Sequence, residues 1–472
     1  MKGENIVKAA VCGLAGTAAV QYSSAADRQP DVVVIICDAM QQARLEGGTA
    51  VTPSLQRLKD NGYSYTQAYC AFPLSTPARF SLFTGMYPAD CNIRFNLENR
   101  PDRFAAVNWD KAEAAQATGL GNLFKKAGYE TFYGGTTSLA SRRSITDPYP
   151  YGFDNFYSPE RHDQLGRDAA EVIRSRKSDD KPYLLVLSFI NPHNIGQFQD
   201  YLNRDCLPPE YMTPKKKEGI DRITNHMKKL EGVPEEERLA SHYPDLPFNL
   251  ERTAGEPEGL PSHISGYTDD QWRMFLWVYD RLIEEVDYNM SPVVDALMEE
   301  NRLDNTVVVF LSDHGEMAAS HRREHKSVPY QESQKVPLIF AGNGISKGIK
   351  DDSTVFHTGL DFLPTLCGLA GIEVPAEKKG LSTAGLMKGE AGRPDRKYTF
   401  YEGPNWFQVL EDGRYKLTIL EAPGNPVMLS DLKEDPGEMV NLSESKKHAS
   451  IRKRLEGILK ENLDSRGLSI KD

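Results

Sequence analysis

The sequence predicts an α/β protein: a mainly parallel mixed sheet flanked by helices, followed by a smaller C-terminal antiparallel sheet with a terminal helix. Three observations carry this reading. Residues 31–37, 183–190 and 306–312 are near-continuous apolar runs rich in β-branched side chains, the pattern of strands buried on both faces. Helical periodicity fills the stretches between them. Beyond residue 380 short β-rich runs separated by turns replace both.

At the amino terminus Lys2 and Lys8 flank a polar start, and residues 9–20 are apolar. That stretch is too short to span a bilayer. Ser23-Ser24-Ala25 or Ser24-Ala25-Ala26 offers a cleavage site, so residues 1–25 read as a secretory signal and the mature chain as periplasmic or secreted. No later segment is apolar enough to be transmembrane. The remainder divides into a larger unit over 26–380 and a smaller unit over 381–472.

The helices follow from local signals. Thr52-Pro53-Ser54-Leu55 opens one. Thr76 suits an N-cap and Pro77 a first helical position, where its missing N–H costs nothing. Leu120, Leu123, Phe124 and Ala127 share a face that ends at Gly128, a C-cap glycine. Residues 271–301 are one long amphipathic helix leading into the third apolar run. Residues 200–265 are polar and rich in Pro, Lys and Glu, and read as a surface excursion walling the mouth of the site. Lys215-Lys216-Lys217 within them reads as solvated. Residues 398–401, 407–410 and 415–420 are short strands, with Glu411-Asp412-Gly413 as a turn, and a polar helix over 443–463 closes the chain.

At 472 residues, 39% hydrophobic and 26% charged, the chain can bury a large core. Its net charge of −11 argues against nucleic-acid binding, but leaves room for a polyanionic substrate held by a local basic pocket. Six cysteines, five after signal removal, leave at least one unpaired. Their spacing fits no zinc site, so they read as small buried apolar groups.

Open α/β sheets place ligand groups just beyond the carboxyl ends of their strands. Asp38 follows the first run, His193 the second, and Asp313 and His314 the third. Ser75, at the mouth of a helix, is a candidate hydroxyl nucleophile. Free N–H groups and the helix dipole favour an anion there, and Arg79 adds a positive charge one turn in.

The run from Pro73 to Gly85, PLSTPARFSLFTG, resembles the activation signature of the sulfatases, a branch of the alkaline phosphatase superfamily in which a Cys or Ser is oxidised to formylglycine. Here that position is Ser75. Cys70 cannot substitute, because Phe72 stands where the motif needs Pro. Further segments match in order: Asp38, Thr52 to Leu58, Asp313-His314-Gly315-Glu316, His321, Lys326, Tyr330, Glu332 to Ile339, Leu360 to Thr365, and Asp431 to Glu438.

The resemblance implies an alkaline-phosphatase-like fold and hydrolysis of sulfate esters, of a sulfated saccharide of glycosaminoglycan or mucin type. It implies a divalent metal on Asp38, Ser75, Asp313 and His314. Calcium is the family's usual ion, with manganese, magnesium or zinc left open by the histidine. It makes the hydrated formylglycine of Ser75 the nucleophile and His193 the general acid. Lys326 then grips the sulfate, and His321 orients Lys326 or assists sulfate release. A serine at position 75 implies a radical-type maturase as partner.

The chain departs from the family twice. Ala39 stands where a second aspartate is frequent, and Gly134-Gly135-Thr136-Thr137 replaces a Gly-Lys-x-His segment. Arg142, Arg143 or His325 are the candidates to compensate. Two rival readings follow: a phosphomonoesterase or phosphodiesterase using unmodified Ser75, and a sulfated-glycan binding protein that has lost catalysis.

Overall fold

Residues 32–37 of strand β1 (Asp31–Asp38) are all apolar, so the strand has no face to offer water and lies inside the main sheet. This computed structural model describes residues 28–471 except 99, 145, 158–161, 178, 262 and 263. The segment read as a secretory signal lies outside them. In chain order the further strands are β2 (Gly62–Tyr65), β3 (Ala68–Tyr69), β4 (Glu130–Gly135), β5 (Asn155–Tyr157), β6 (Tyr183–Pro192), β7 (Thr306–Ser312), β8 (Leu338–Ala341), β9 (Ile349–Asp351), β10 (Phe356–His357), β11 (Tyr398–Gly403), β12 (Trp406–Glu411), β13 (Tyr415–Leu420) and β14 (Val427–Asp431). The main sheet runs β5-β4-β6-β1-β7-β8-β2-β9. The five strands from β5 to β7 are parallel, β8 runs against both β7 and β2, and β9 is parallel to β2. The sheet is therefore mainly parallel and mixed.

The period of two along β1 explains its place. Val32, Val34 and Ile36 pack with Phe80, Phe83, Phe362 and Leu366 on one face. Val33, Ile35 and Cys37 pack with Phe275, Tyr279, Ile283 and Val286 on the other. Each such buried side chain contributes about 1.5–3 kcal/mol, so a register slip of one residue would exchange the two apolar sets. The second face is covered by the Asp269–Met298 helix, opened by a capping box between Thr268 and Gln271. Gly128, at φ 95°, ends the Leu120–Lys126 helix, with the Gly128 and Tyr129 N–H groups bonded to Lys125 and Phe124. Among the described residues no helix is long and apolar enough to cross a membrane.

Five expectations are corrected. The helix after the 73–85 run begins at Ser75, with extended Leu74 as N-cap. The Thr76 side chain caps nothing, and its N–H is taken by Asn96 Oδ1 at 3.0 Å. Pro77 stands third in the helix, still among the positions whose N–H has no helical partner. Residues 200–265 are more than a surface excursion: the Pro214–Met227 helix buries Ile220, Ile223 and His226, and Asn249 and Thr253 are buried as well. The antiparallel sheet has a fourth strand, β14, beyond the three expected. The terminal helix spans Ala449–Ser465, starting after 443 because residues 446–448 form a separate short 3-10 turn; its buried spine is Leu455, Leu459 and Leu463. Cys37, Cys70, Cys91 and Cys367 are free and buried, and Cys206 is free and exposed.

Candidate active site

Three adjacent parallel strands, β6-β1-β7, end at the same edge of the sheet. They deliver His193, Asp38 and Asp313-His314 to one place, and the start of the Ser75–Thr84 helix faces them. Ser75 Oγ lies 3.0 Å from His314 Nε2. The same nitrogen is 3.6 Å from Asp38 Oδ1 and 3.8 Å from Asp313 Oδ1. All four residues are buried.

The hydrogen bond on the far side of His314 sets its tautomer. Nδ1 is 2.8 Å from the Gly315 carbonyl, which can only accept, so Nδ1 carries the proton. Burial lowers the histidine's pKa, so the ring is neutral and Nε2 presents a lone pair. A lone pair and two carboxylates thus converge beside the Ser75 hydroxyl. Ligand atoms of Asp38, Asp313 and His314 lie within 4.8 Å of one another. Two hard oxygen donors with one imidazole form a donor set that fits a divalent cation.

Arg79 lies beneath this group and is fully buried. Its Nε donates to Asp313 Oδ2 at 2.9 Å, its Nη2 to Asp38 Oδ2 at 3.3 Å, and its Nη1 to Ser188 Oγ at 2.7 Å and the Thr136 carbonyl at 3.3 Å. The planar guanidinium fork can reach these directions at once, which an ammonium cannot. Burial opposes the charge of Asp38, yet His193 and Arg79 hold its carboxyl well below the usual range. Burial likewise opposes the charge of Arg79, and Asp313 and Asp38 more than restore it.

His193 Nδ1 lies 2.9 Å from Asp38 Oδ1 and 3.3 Å from Lys326 Nζ. The carboxylate is the stronger partner for a ring N–H, so Nδ1 donates to Asp38 and Nε2 is left to carry or accept a proton. Lys326 comes from a loop tied to the Ser75 segment through the Ser327 N–H and the Pro73 carbonyl, 3.1 Å apart. Ala318, Ala319, His321, Arg322, His325 and Ser327 on this loop all have positive φ, a conformation non-glycine residues rarely adopt.

The structure thus brings together Ser75, Arg79, Asp38, Asp313, His314, His193 and Lys326. It does not bring His321 into hydrogen-bonding contact with Lys326, the first of the two roles read for that residue. His321 is fully buried, stacked on Tyr330 with ring centroids 4.0 Å apart, and its Nδ1 meets Thr253 Oγ1 at 3.2 Å. Packing against residues distant in sequence turned the ring away. Arg142 pairs at the surface with Asp110 and Glu113, and the Arg143 side chain is exposed, so neither replaces the absent family lysine. His325 does reach the site's rim: a methyl group on Gly196, in the turn after His193, would come within 3.4 Å of its ring. Gly135 has φ 92°, and a Cβ there would lie 2.0 Å from the Ser188 carbonyl oxygen. This backbone admits no lysine at that position.

Ala39, where a second aspartate was absent, uses its backbone instead. Its N–H donates to Asp313 Oδ1 at 3.2 Å and its carbonyl accepts from the Tyr279 hydroxyl at 2.6 Å. Sequence reasoning missed Ser188 as a partner of Arg79. A hydroxyl inside an otherwise apolar strand was the available signal.

Comparison with known proteins agrees with this geometry. The sulfatase family pattern matches residues 30–372, and that of the N-sulphoglucosamine sulphohydrolase C-terminal region matches residues 320–465. A Delta 4,5-hexuronate-2-O-sulfatase of Bacteroides thetaiotaomicron is 29% identical, over 92% of this chain and 89% of the relative. An N-acetylglucosamine-6-O-sulfatase of the same organism is 24% identical, over 92% of this chain and 86% of the relative. The solved structure of a 2-O GAG sulfatase superposes with a TM-score of 0.71 at 26% identity, covering 94% of this chain and 95% of the other.

Proposed function

The chain belongs to the sulfatase family of sulfuric ester hydrolases, and we propose that it removes a 2-O-sulfate from an acidic, glycosaminoglycan-derived saccharide. The observation that carries the reading is the convergence of Ser75, Asp38, Asp313 and His314 beside Arg79 and Lys326. The saccharide class is supported by the hexuronate-2-O-sulfatase and the 2-O GAG sulfatase to which the chain is similar.

In this reading Asp38, Asp313 and His314 hold a divalent cation, calcium by family habit, together with residue 75. The bound cation supplies charge neutralisation and activation of an oxygen at residue 75. Ser75 is oxidised to formylglycine by a radical-type maturase, with two electrons and two protons leaving the CH2OH group for the maturase's acceptor. The aldehyde, once hydrated, supplies the attacking oxygen. Arg79 balances the two aspartates and fixes their directions. The Lys326 ammonium binds the sulfate oxygens and offsets the charge that grows on them in the transition state. His193, oriented by Asp38, gives its Nε2 proton to the departing sugar oxygen. The site's place is periplasmic or secreted, consistent with the leader read from residues 1–25.

The test is sulfate release by matured enzyme from a panel of sulfated disaccharides. Release from 2-O-sulfated unsaturated uronate disaccharides, and none from 6-O-sulfated glucosamine, is the expected result. The reverse pattern would overturn the linkage assignment.

A further inference from the structure

We propose that Glu285, on the Asp269–Met298 helix, is a positioning residue for His193, acting through Asn191. The inference rests on the acid role given to His193 above. Glu285 lies outside the group around Ser75, yet its carboxylate collects three donors from two other segments, the end of β6 and the Pro214–Met227 helix. Asn191 Nδ2 is 2.6 Å from Oε2, Arg222 Nη1 is 3.0 Å from Oε2, and His226 Nε2 is 2.7 Å from Oε1. Burial opposes the charge of Glu285, but His226 and Arg222 hold its pKa down, so the carboxylate is ionised.

Asn191 is the residue through which this cluster reaches the site. It is buried at the carboxyl end of β6, two residues before His193. Its Oδ1 has no partner, so among the described residues Glu285 is the only hydrogen-bond partner of its side chain. A buried amide with a single anchor takes its direction from that anchor. The turn that follows, His193–Gln197, is pressed from outside by the same helix that supplies Arg222 and His226. A methyl group on Gly219 would come within 2.5 Å of Gln197 Cγ, and Ile195 is sealed into the core beneath the turn. Glu285 therefore joins the central helix, the Pro214–Met227 helix and the end of β6. The imidazole leaving that junction must meet Asp38 at 2.9 Å.

An acid matters most when the leaving oxygen is basic. A sugar alkoxide needs its proton in the transition state, whereas a nitrophenolate or nitrocatecholate leaves without one. Loss of positioning at His193 thus has a signature that loss of fold does not.

Matured parent, His193→Ala, Glu285→Ala, Glu285→Asp and Asn191→Ala enzymes are assayed on a 2-O-sulfated uronate disaccharide and on 4-nitrocatechol sulfate. Glu285→Ala and Asn191→Ala are expected to lower kcat on the saccharide roughly 10- to 100-fold, the scale of a misplaced catalytic group. Their KM is unchanged, and the aryl sulfate loses less than about twofold, within the scatter of surface substitutions. Glu285→Asp recovers part of the loss. Equal loss on both substrates by Glu285→Ala, with a selective loss by His193→Ala, overturns the positioning role alone. Equal loss by His193→Ala overturns the acid assignment and the proposal with it. A crystal structure of Glu285→Ala tests the same point without turnover: the His193–Asp38 contact must open beyond about 3.5 Å, and an unchanged contact contradicts the proposal.

Discussion

His314 Nε2 faces Ser75 Oγ at 3.0 Å with its lone pair, because its other ring nitrogen is committed to the Gly315 carbonyl. That one relationship makes the site a place for a cation. A protonated ring would fill the space between the carboxylates with its own charge. A neutral one leaves three electron-rich groups facing one another.

Cation binding should therefore stabilise the fold. Removal of divalent ions with a chelator is expected to lower Tm and calcium to restore it, with a gain in stability of about 2.7 kcal/mol at a hundredfold excess over Kd. His314→Ala and Asp313→Asn should abolish most of that response. Calorimetric titration of the ion-free protein checks it.

Arg79 should be the costliest single loss in the site. Arg79→Ala leaves Asp38 and Asp313 facing each other in the interior, and removal of one partner of a buried ion pair costs about 3–5 kcal/mol. Arg79→Lys is expected to recover only part, because one ammonium cannot span Asp313, Asp38 and Ser188. Urea denaturation of the ion-free proteins measures both.

Lys326 should act on the sulfate group and on little else. Lys326→Ala is expected to lower kcat/KM roughly 10²- to 10³-fold, the scale for loss of one donor to a developing charge. The melting temperature should stay close to the parent's. Steady-state kinetics beside a melting curve separate the two.

His321 should mark acid sensitivity of the fold rather than of catalysis. Burial lowers its pKa from 6.5 to about 4 in the folded chain. Between these values the unfolded chain binds a proton at this position and the folded chain does not, so its contribution falls as pH drops. Glu332, raised by burial, works in the opposite sense nearby. The contrast is therefore between His321→Gln and the parent: moving from pH 6.5 to about pH 5 should favour the variant by about 1.6 kcal/mol. Denaturation at the two pH values gives the difference directly.

The sheet's three central strands and the residues at their ends were legible because both signals are local. A run such as Val32 to Cys37 needs no partner to declare itself a two-face strand, and Asp38 follows it directly. The partners of Arg79 were not legible. Its charge was read as facing an anion, but packing turns it into a brace between Asp38, Asp313 and Ser188, residues up to 234 positions away. The place of the His321 ring was not legible for the same reason, since Thr253 and Tyr330 decide where it lies. The Pro214–Met227 helix was hidden by its lysines: only Gly219, Ile220, Ile223 and His226 are buried, too few apolar groups to stand out in a polar stretch.

The measurement that tests the central claim most directly is the mass of the peptide carrying residue 75, from protein made with and without a radical-type maturase, set beside sulfate release by the same samples. The account predicts a peptide lighter by two hydrogens at Ser75 only with the maturase, and sulfate release only from that sample. Full sulfatase activity from protein whose Ser75 is unmodified would contradict it.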